Sequence, residues 1–218
     1  MKTFIMGMHR SGTSLMTGAL SLCGLYVGNN LLSGARDNPR GHFEDRRFLN
    51  INNQILIRNG GSWKAPPLAL GYAGQRDKMS GFLRLPDWRG RDRVGWKDPR
   101  ICLTFPLWHE LYYPEVTRIV WMSRSKNAIA ASLKARNGFT KRRSFELIDF
   151  YQRNALAHVH RRGVKYMIAD FDSFFNEYWE TQLQAVCEFL DLEFPKNTKK
   201  LRAFIEPKLR HHRRELVK

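Results

Sequence analysis

The sequence predicts an α/β fold, a single domain over residues 1–218 whose mainly parallel sheet carries helices on both faces. Three observations support this. Thr3 to Met6 is a short apolar run, Gly7 to Gly12 is a glycine-bounded loop, and Ser14 to Leu20 reads as helix, which together make a strand, a phosphate-cradling loop and a helix. Further along, brief apolar runs alternate with amphipathic stretches, the pattern of parallel strands joined by helical crossovers. The chain has 218 residues and is 43% hydrophobic, enough for one well-packed core without calling for a second.

Each element follows from local chemistry. The first helix ends near Cys23-Gly24, and Tyr26 to Gly41, with Asn29-Asn30, Gly34, Asn38-Pro39 and Arg40-Gly41, is loop. Phe48, Ile51 and Ile55 step by three and four residues, so a helix starts near Glu44 and stops at Asn59-Gly60-Gly61. Residues 60–93, rich in glycine, proline, arginine and aromatics but without sustained periodicity, read mostly as an irregular excursion on the acceptor side of the site. Val94 to Lys97 is a brief strand that Pro99 terminates, with Lys97 at its end. Thr117 to Arg124 is a buried strand, Asn127 is the expected N-cap of a helix from Ala128 to Arg136, and Gly138 closes it. In that helix Ser132 shares a face with Ala128, away from the Ile129 and Leu133 stripe, and so faces a ligand lying beyond the strand end. Ser144 is the expected cap of a helix with Leu147, Ile148, Tyr151, Ala155 and Val159 inward; Val164 to Phe171 is a further strand; and Trp179, Leu183, Val186 and Leu190 mark another amphipathic helix. Residues 196–218 form a strongly basic C-terminal segment.

Thirty-seven Lys and Arg against twenty Asp and Glu give a formal charge of +17, which favours anionic partners. A nucleic-acid-binding module is one reading of that charge, but no RNA-recognition aromatic signature, zinc-finger spacing or helix-turn-helix accompanies it. Cys23, Cys102 and Cys187 are odd in number, widely spaced and set among apolar residues. Reduced, buried thiols are expected, with neither a disulfide framework nor a metal site. No run of eighteen apolar residues occurs, so no transmembrane segment is expected and a cytoplasmic location is inferred.

The chemistry centres on anions. Gly7 and Gly12 have the spacing of a P-loop, in which backbone N–H groups and the positive end of a helix hold phosphate. The P-loop pattern places Lys after the second glycine, where this chain has Thr13, which argues against ordinary ATP or GTP hydrolysis. Arg10 supplies a cation from within the loop instead. Arg124 at a strand end, with Ser132 eight residues later, makes a second anion site, and two such sites on one sheet edge imply one ligand with two phosphate groups.

Here a resemblance becomes specific. Gly7-Met8-His9-Arg10-Ser11-Gly12-Thr13-Ser14 resembles the 5′-phosphosulfate loop of sulfotransferases that use 3′-phosphoadenosine 5′-phosphosulfate (PAPS), and Arg124 with Ser132 matches their 3′-phosphate site. Arg-Ser-Gly-Thr followed by a hydroxyl and Leu is most similar to the tyrosylprotein and bacterial branches. Lys97-Asp98-Pro99 resembles an element of the tyrosylprotein branch in which the lysine faces the sulfuryl group, and Asn38 to Glu44 resembles a bacterial segment carrying a base. These anchors span residues 3–132. The late Arg-x-Gly-x-x-Gly-x-x-Lys loop of cytosolic small-molecule sulfotransferases is absent from this sequence, and the basic run Lys208 to Arg214 is a stretch that could take its place, left unassigned.

The resemblance implies a P-loop nucleotide-kinase-like fold. It also implies transfer of the sulfuryl group of PAPS to an acceptor hydroxyl on a glycan, lipid-linked sugar, peptide or small molecule, with PAP as product and no metal required. His9, Arg10, Ser11, Gly12, Thr13, Ser14, Arg124 and Ser132 would hold the donor, and Arg10 and Lys97 would stabilise developing charge. Glu44 is the first choice for the base that takes the acceptor proton, with His42 and Asp45 as alternatives. The basic surface suits an anionic acceptor. A P-loop nucleotide or sugar kinase, needing ATP and Mg²⁺, is the competing enzyme reading.

Overall fold

The computed structural model describes residues 1–34, 38, 40–111 and 117–205. The basic run Lys208 to Arg214, the remainder of 206–218 and Pro39 lie outside the described residues.

Four parallel strands form the sheet: β1 (Lys2–Met6), β2 (Val94–Lys97), β3 (Thr117–Ser123) and β4 (Lys165–Asp170), in the order β2-β1-β3-β4. Ile5 pairs with Lys97 on one side and Val120 on the other. Because every strand runs the same way, Gly7, Lys97, Ser123 and Asp170 all emerge at one edge of the sheet, where ligands of open parallel sheets bind.

Alternation along the strands fills a core on each face. Phe4, Met6, Val94, Trp96, Ile119 and Trp121 join one apolar cluster, while Ile5, Val120, Met122 and Ala169 join the other. The first cluster is completed by helices α2 (Arg46–Arg58), α3 (Arg76–Leu83), α4 (Ile101–Leu111), α5 (Lys126–Asn137) and α6 (Lys141–Arg162). The second is completed by α1 (Thr13–Leu22), α7 (Trp179–Phe189) and α8 (Lys199–Phe204). Trp96 and Trp121 are core residues, and Cys23, Cys102 and Cys187 are buried free thiols. No described helix is long and apolar enough to cross a membrane.

Several boundaries differ from the sequence expectation, each for a local reason. The N-cap position of α5 is Ser125 in place of Asn127, and no side chain bonds its first turn. Thr140 caps α6 by accepting from Arg143 N, while Ser144 lies one turn inside and donates to the Thr140 carbonyl. Asp98-Pro99 ends β2 and leads by a turn into α4: Asp98 Oδ1 accepts from Arg100 N at 3.0 Å, and the Pro99 carbonyl accepts from Cys102 N at 3.3 Å. The excursion at 60–93 contains α3, whose Met79 and Phe82 are buried. The basic C-terminal segment begins with α8, whose Leu201 is buried against the second cluster.

Candidate active site

The loop after β1 turns on three residues at positive φ: Gly7 at 151°, Arg10 at 73° and Gly12 at 97°. Glycine is required at both ends. A Cβ on Gly12 would lie 2.2 Å from the Phe171 ring, and one on Gly7 would lie 2.5 Å from Ser11 Oγ. Gly12 is the N-cap of α1 and no side chain bonds the helix start, which leaves an open, positively polarised first turn over Thr13 and Ser14. His9 Nε2 is buried there without a hydrogen-bond partner, whereas Ser11, expected among the donor-holding residues, turns its equally unpartnered Oγ back under Gly7 and does not line the cleft. An orphaned polar atom beside an open helix start fits a phosphate-bearing ligand.

Arg10 joins this loop to the Arg124 and Ser132 pair. Its left-handed backbone turns the side chain so that Nε donates to Ser132 Oγ at 2.8 Å, and Arg124 Nη1 donates to the Arg10 carbonyl at 2.8 Å. The Arg124 guanidinium also lies over Phe171, 4.2 Å from the ring centroid. The loop, the end of β3 and the inner face of α5 are therefore contiguous, and a single cleft is lined by His9, Arg10, Gly12, Thr13, Ser14 and Arg124.

Lys97 enters the same cleft from the end of β2. It is 3% exposed, and Nζ donates to Ser14 Oγ at 2.9 Å, the His42 carbonyl at 2.9 Å and Glu44 Oε1 at 2.6 Å. Ser14 Oγ also accepts from Asn38 Nδ2 at 3.1 Å. Glu44 is thus within reach of the loop, and His42 lines the cleft with Nδ1 3.4 Å from Asn38 Nδ2. Asp45 is placed differently: it caps α2 by accepting from Arg47 N and Phe48 N, and pairs with Arg47 Nη2 at 2.7 Å. As a base it is occupied and turned from the cleft.

Sequence reasoning missed two arginines and two aromatic walls. Arg136 lines the cleft one helical turn after Ser132, on the same face of α5; that i, i+4 spacing was the available signal. Arg40 lines it near Phe43 and Phe204, donating to the Ala203 carbonyl at 2.9 Å and lying 5.2 Å from the Phe204 ring centroid. Phe204 itself packs against α1, where a Cβ on Gly18 would come within 2.2 Å of its ring, so α8 forms one wall of the cleft. Phe171 forms another. Trp63 from the excursion packs on His9, with ring centroids 4.3 Å apart, and its carbonyl accepts from Tyr151.

Electrostatically the cleft is cationic, with Arg10, Arg40, Lys97, Arg124 and Arg136 around Glu44, the one carboxylate that lines it among the described residues. Burial, helped by the neighbouring charges of Arg100, Lys97, Arg136 and Arg10, holds the His9 pKa well below the ordinary 6.5. His9 is therefore neutral at pH 7. Among the described residues no group of three or more His, Cys, Asp or Glu is arranged to hold a metal ion.

The sequence matches no protein-family model and no curated protein. Solved structures do match. The sulfotransferase domain of the Synechococcus PCC 7002 olefin synthase is similar at 15% identity and a TM-score of 0.55, over 97% of this chain and 82% of that one. The sulfotransferase domain of the curacin biosynthetic pathway is similar at 14% identity and a TM-score of 0.57, over 94% of this chain and 82% of that one. The four-stranded parallel sheet with helices on both faces is thus the fold of these sulfotransferase domains.

Proposed function

We propose that the chain moves a sulfuryl group from PAPS to an acceptor hydroxyl. The observation that carries this reading is that Arg10 ties the glycine loop to the Arg124 and Ser132 pair, donating to Ser132 and accepting from Arg124 at its carbonyl. A donor with phosphate at both ends of one adenosine suits that arrangement, and the cleft lacks the lysine with which a P-loop kinase reaches a γ-phosphate. The two fold neighbours, both named as sulfotransferase domains, add support.

In this reading the loop amides and the open start of α1 hold the 5′ end, while Arg124, Ser132 and Arg136 hold the 3′-phosphate. The bound donor supplies an activated sulfur with a good phosphate leaving group. Lys97 and Arg10 offset the charge that builds on the leaving oxygen, a role for which fixed cations in a water-poor site are well suited. Glu44 accepts the acceptor proton, with His42 as the second choice, and general-base help of this kind is worth about a hundredfold to ten-thousandfold. Arg40, Phe43 and Phe204 form the wall an acceptor meets, which suits a hydroxyl compound carrying negative charge.

Calorimetry with PAP against ATP, with and without Mg²⁺, tests the reading. Metal-independent binding of PAP, and sulfate transfer from PAPS, are expected. Mg²⁺-dependent phosphorylation from ATP with no response to PAPS would replace it by the kinase reading.

A further inference from the structure

Lys97 has three N–H donors, and all three are in use, on Ser14 Oγ, the His42 carbonyl and Glu44 Oε1. Lys97 is also the cation assigned to the leaving oxygen, and in that role its Nζ turns from Glu44 Oε1 toward the donor. The carboxylate is only 8% exposed at its side chain, so it then needs a second cation to keep it charged and oriented. One stands ready. Arg100 Nη1 lies 4.0 Å from the other oxygen, Glu44 Oε2, just beyond hydrogen-bond length.

Arg100 is fixed from behind. Its Nη1 pairs with Asp98 Oδ1 at 2.7 Å, and the fully buried Asp98 also accepts from Asn52 Nδ2 at 2.9 Å. Asn52 Oδ1 in turn accepts from Thr104 Oγ1 and Trp108 Nε1, both at 2.8 Å. A buried relay from α2 and α4 thus aims one guanidinium at Glu44, while Arg100 Nε stays buried without an acceptor. Arg100 does not line the cleft, so the donor does not explain its placement.

We infer that Arg100 is a positioning residue that takes the Glu44 carboxylate at Oε2 when Lys97 releases Oε1, an exchange of hydrogen-bond partners with no bond made or broken. This rests on the sulfuryl-transfer reading and on Glu44 as the base.

The test is a double-mutant cycle on the full chain, reading kcat for transfer from PAPS and, separately, the Kd for PAP. Arg100→Gln is expected to lower kcat by about tenfold to a hundredfold, as loss of a positioning contact does, with PAP affinity changed by less than about twofold. Arg100→Lys should recover part of the rate. In a Glu44→Gln background the same Arg100→Gln change should cost less than about twofold, because the group it positions is gone. Equal losses in both backgrounds, or PAP affinity falling in step with kcat, would overturn the inference. If Arg100→Gln does not fold, Arg100→Lys carries the same cycle. A wild-type chain that neither binds PAP nor transfers sulfate refutes the parent reading, an outcome separate from an active wild type with an additive cycle.

Discussion

Replacing Lys97 by methionine keeps much of the side-chain volume and removes the charge. The change strands Glu44, whose Oε1 loses its 2.6 Å partner and whose remaining cation, Arg100, is 4.0 Å from Oε2. Breaking a buried ion pair from one side costs about 3–5 kcal/mol. Glu44 borders the cleft and keeps Arg100 nearby, which places the expected loss lower, at about 2–3 kcal/mol. For a domain of this size that is a fall of roughly 4–12 °C in Tm. Transfer from PAPS should fall further than stability alone explains, by about a hundredfold to a thousandfold, the scale seen when one donor to a developing charge is removed. Thermal melts and a radiolabelled transfer assay read the two effects. Adding Glu44→Gln should restore most of the Tm and none of the rate, since the pair is then absent on both sides. A single variant melting like the wild type, or a double variant no more stable than the single, would show that the two groups are uncoupled. Wild-type kcat in Lys97→Met would remove Lys97 from the chemistry.

Further outcomes follow from other contacts. Arg124→Ala removes the cation on Phe171 and on the Arg10 carbonyl, and should weaken PAP binding much more than AMP binding in calorimetry; equal losses would deny it the 3′-phosphate. Gly12→Ala meets both a φ of 97° and the Phe171 ring, so PAP binding should be abolished, and retention of wild-type affinity would contradict the close approach. Asn52→Leu leaves Asp98, Thr104 and Trp108 each short of a partner and should cost about 3 kcal/mol in urea unfolding. Burial holds the His9 and His109 pKa values below 6.5, and burial with the neighbouring His109, Arg162 and Arg161 brings His158 down to about 4. The native state therefore refuses protons that the unfolded chain accepts below about pH 6.5, so Tm should fall between pH 7 and pH 5. His158→Gln should flatten that fall, and a Tm independent of pH over the range would refute the assignment.

Much of this was readable in the chain before any coordinates. β1, β2 and β3 are short apolar runs buried on both faces, a signal readable from the chain alone, whereas β4 buries only Ala169 and leaves Ile168 exposed. The glycine loop is readable because Gly7 and Gly12 stand between a strand and a helix with Arg-Ser-Gly-Thr within, a context that the spacing alone does not supply. What escaped shares a cause, namely contacts between residues far apart in sequence. Arg10 reaches Ser132 across 122 positions, and Lys97 reaches Glu44 across 53. No local pattern reports either bond. Asp45 was weighed as a base because it neighbours Glu44, yet one step along the chain turned it into the cap of α2. α4 has no clear signal in the chain, since Pro99 reads as the end of a strand and Pro106 inside the helix breaks the usual propensity pattern. α8 was hidden by its own lysines, since the lysine-rich stretch before Leu201 reads as solvated charge until Phe204 finds the gap left by Gly18.

That gap ties order of synthesis to completeness of the cavity. Gly18 is translated early and Phe204 nearly two hundred codons later, so the glycine loop leaves the ribosome long before the residue that closes the far wall of the cleft. Shortening the chain before residue 199 would leave the sheet intact and unroof the cavity, with an exposed aromatic in Phe43 where a wall should be.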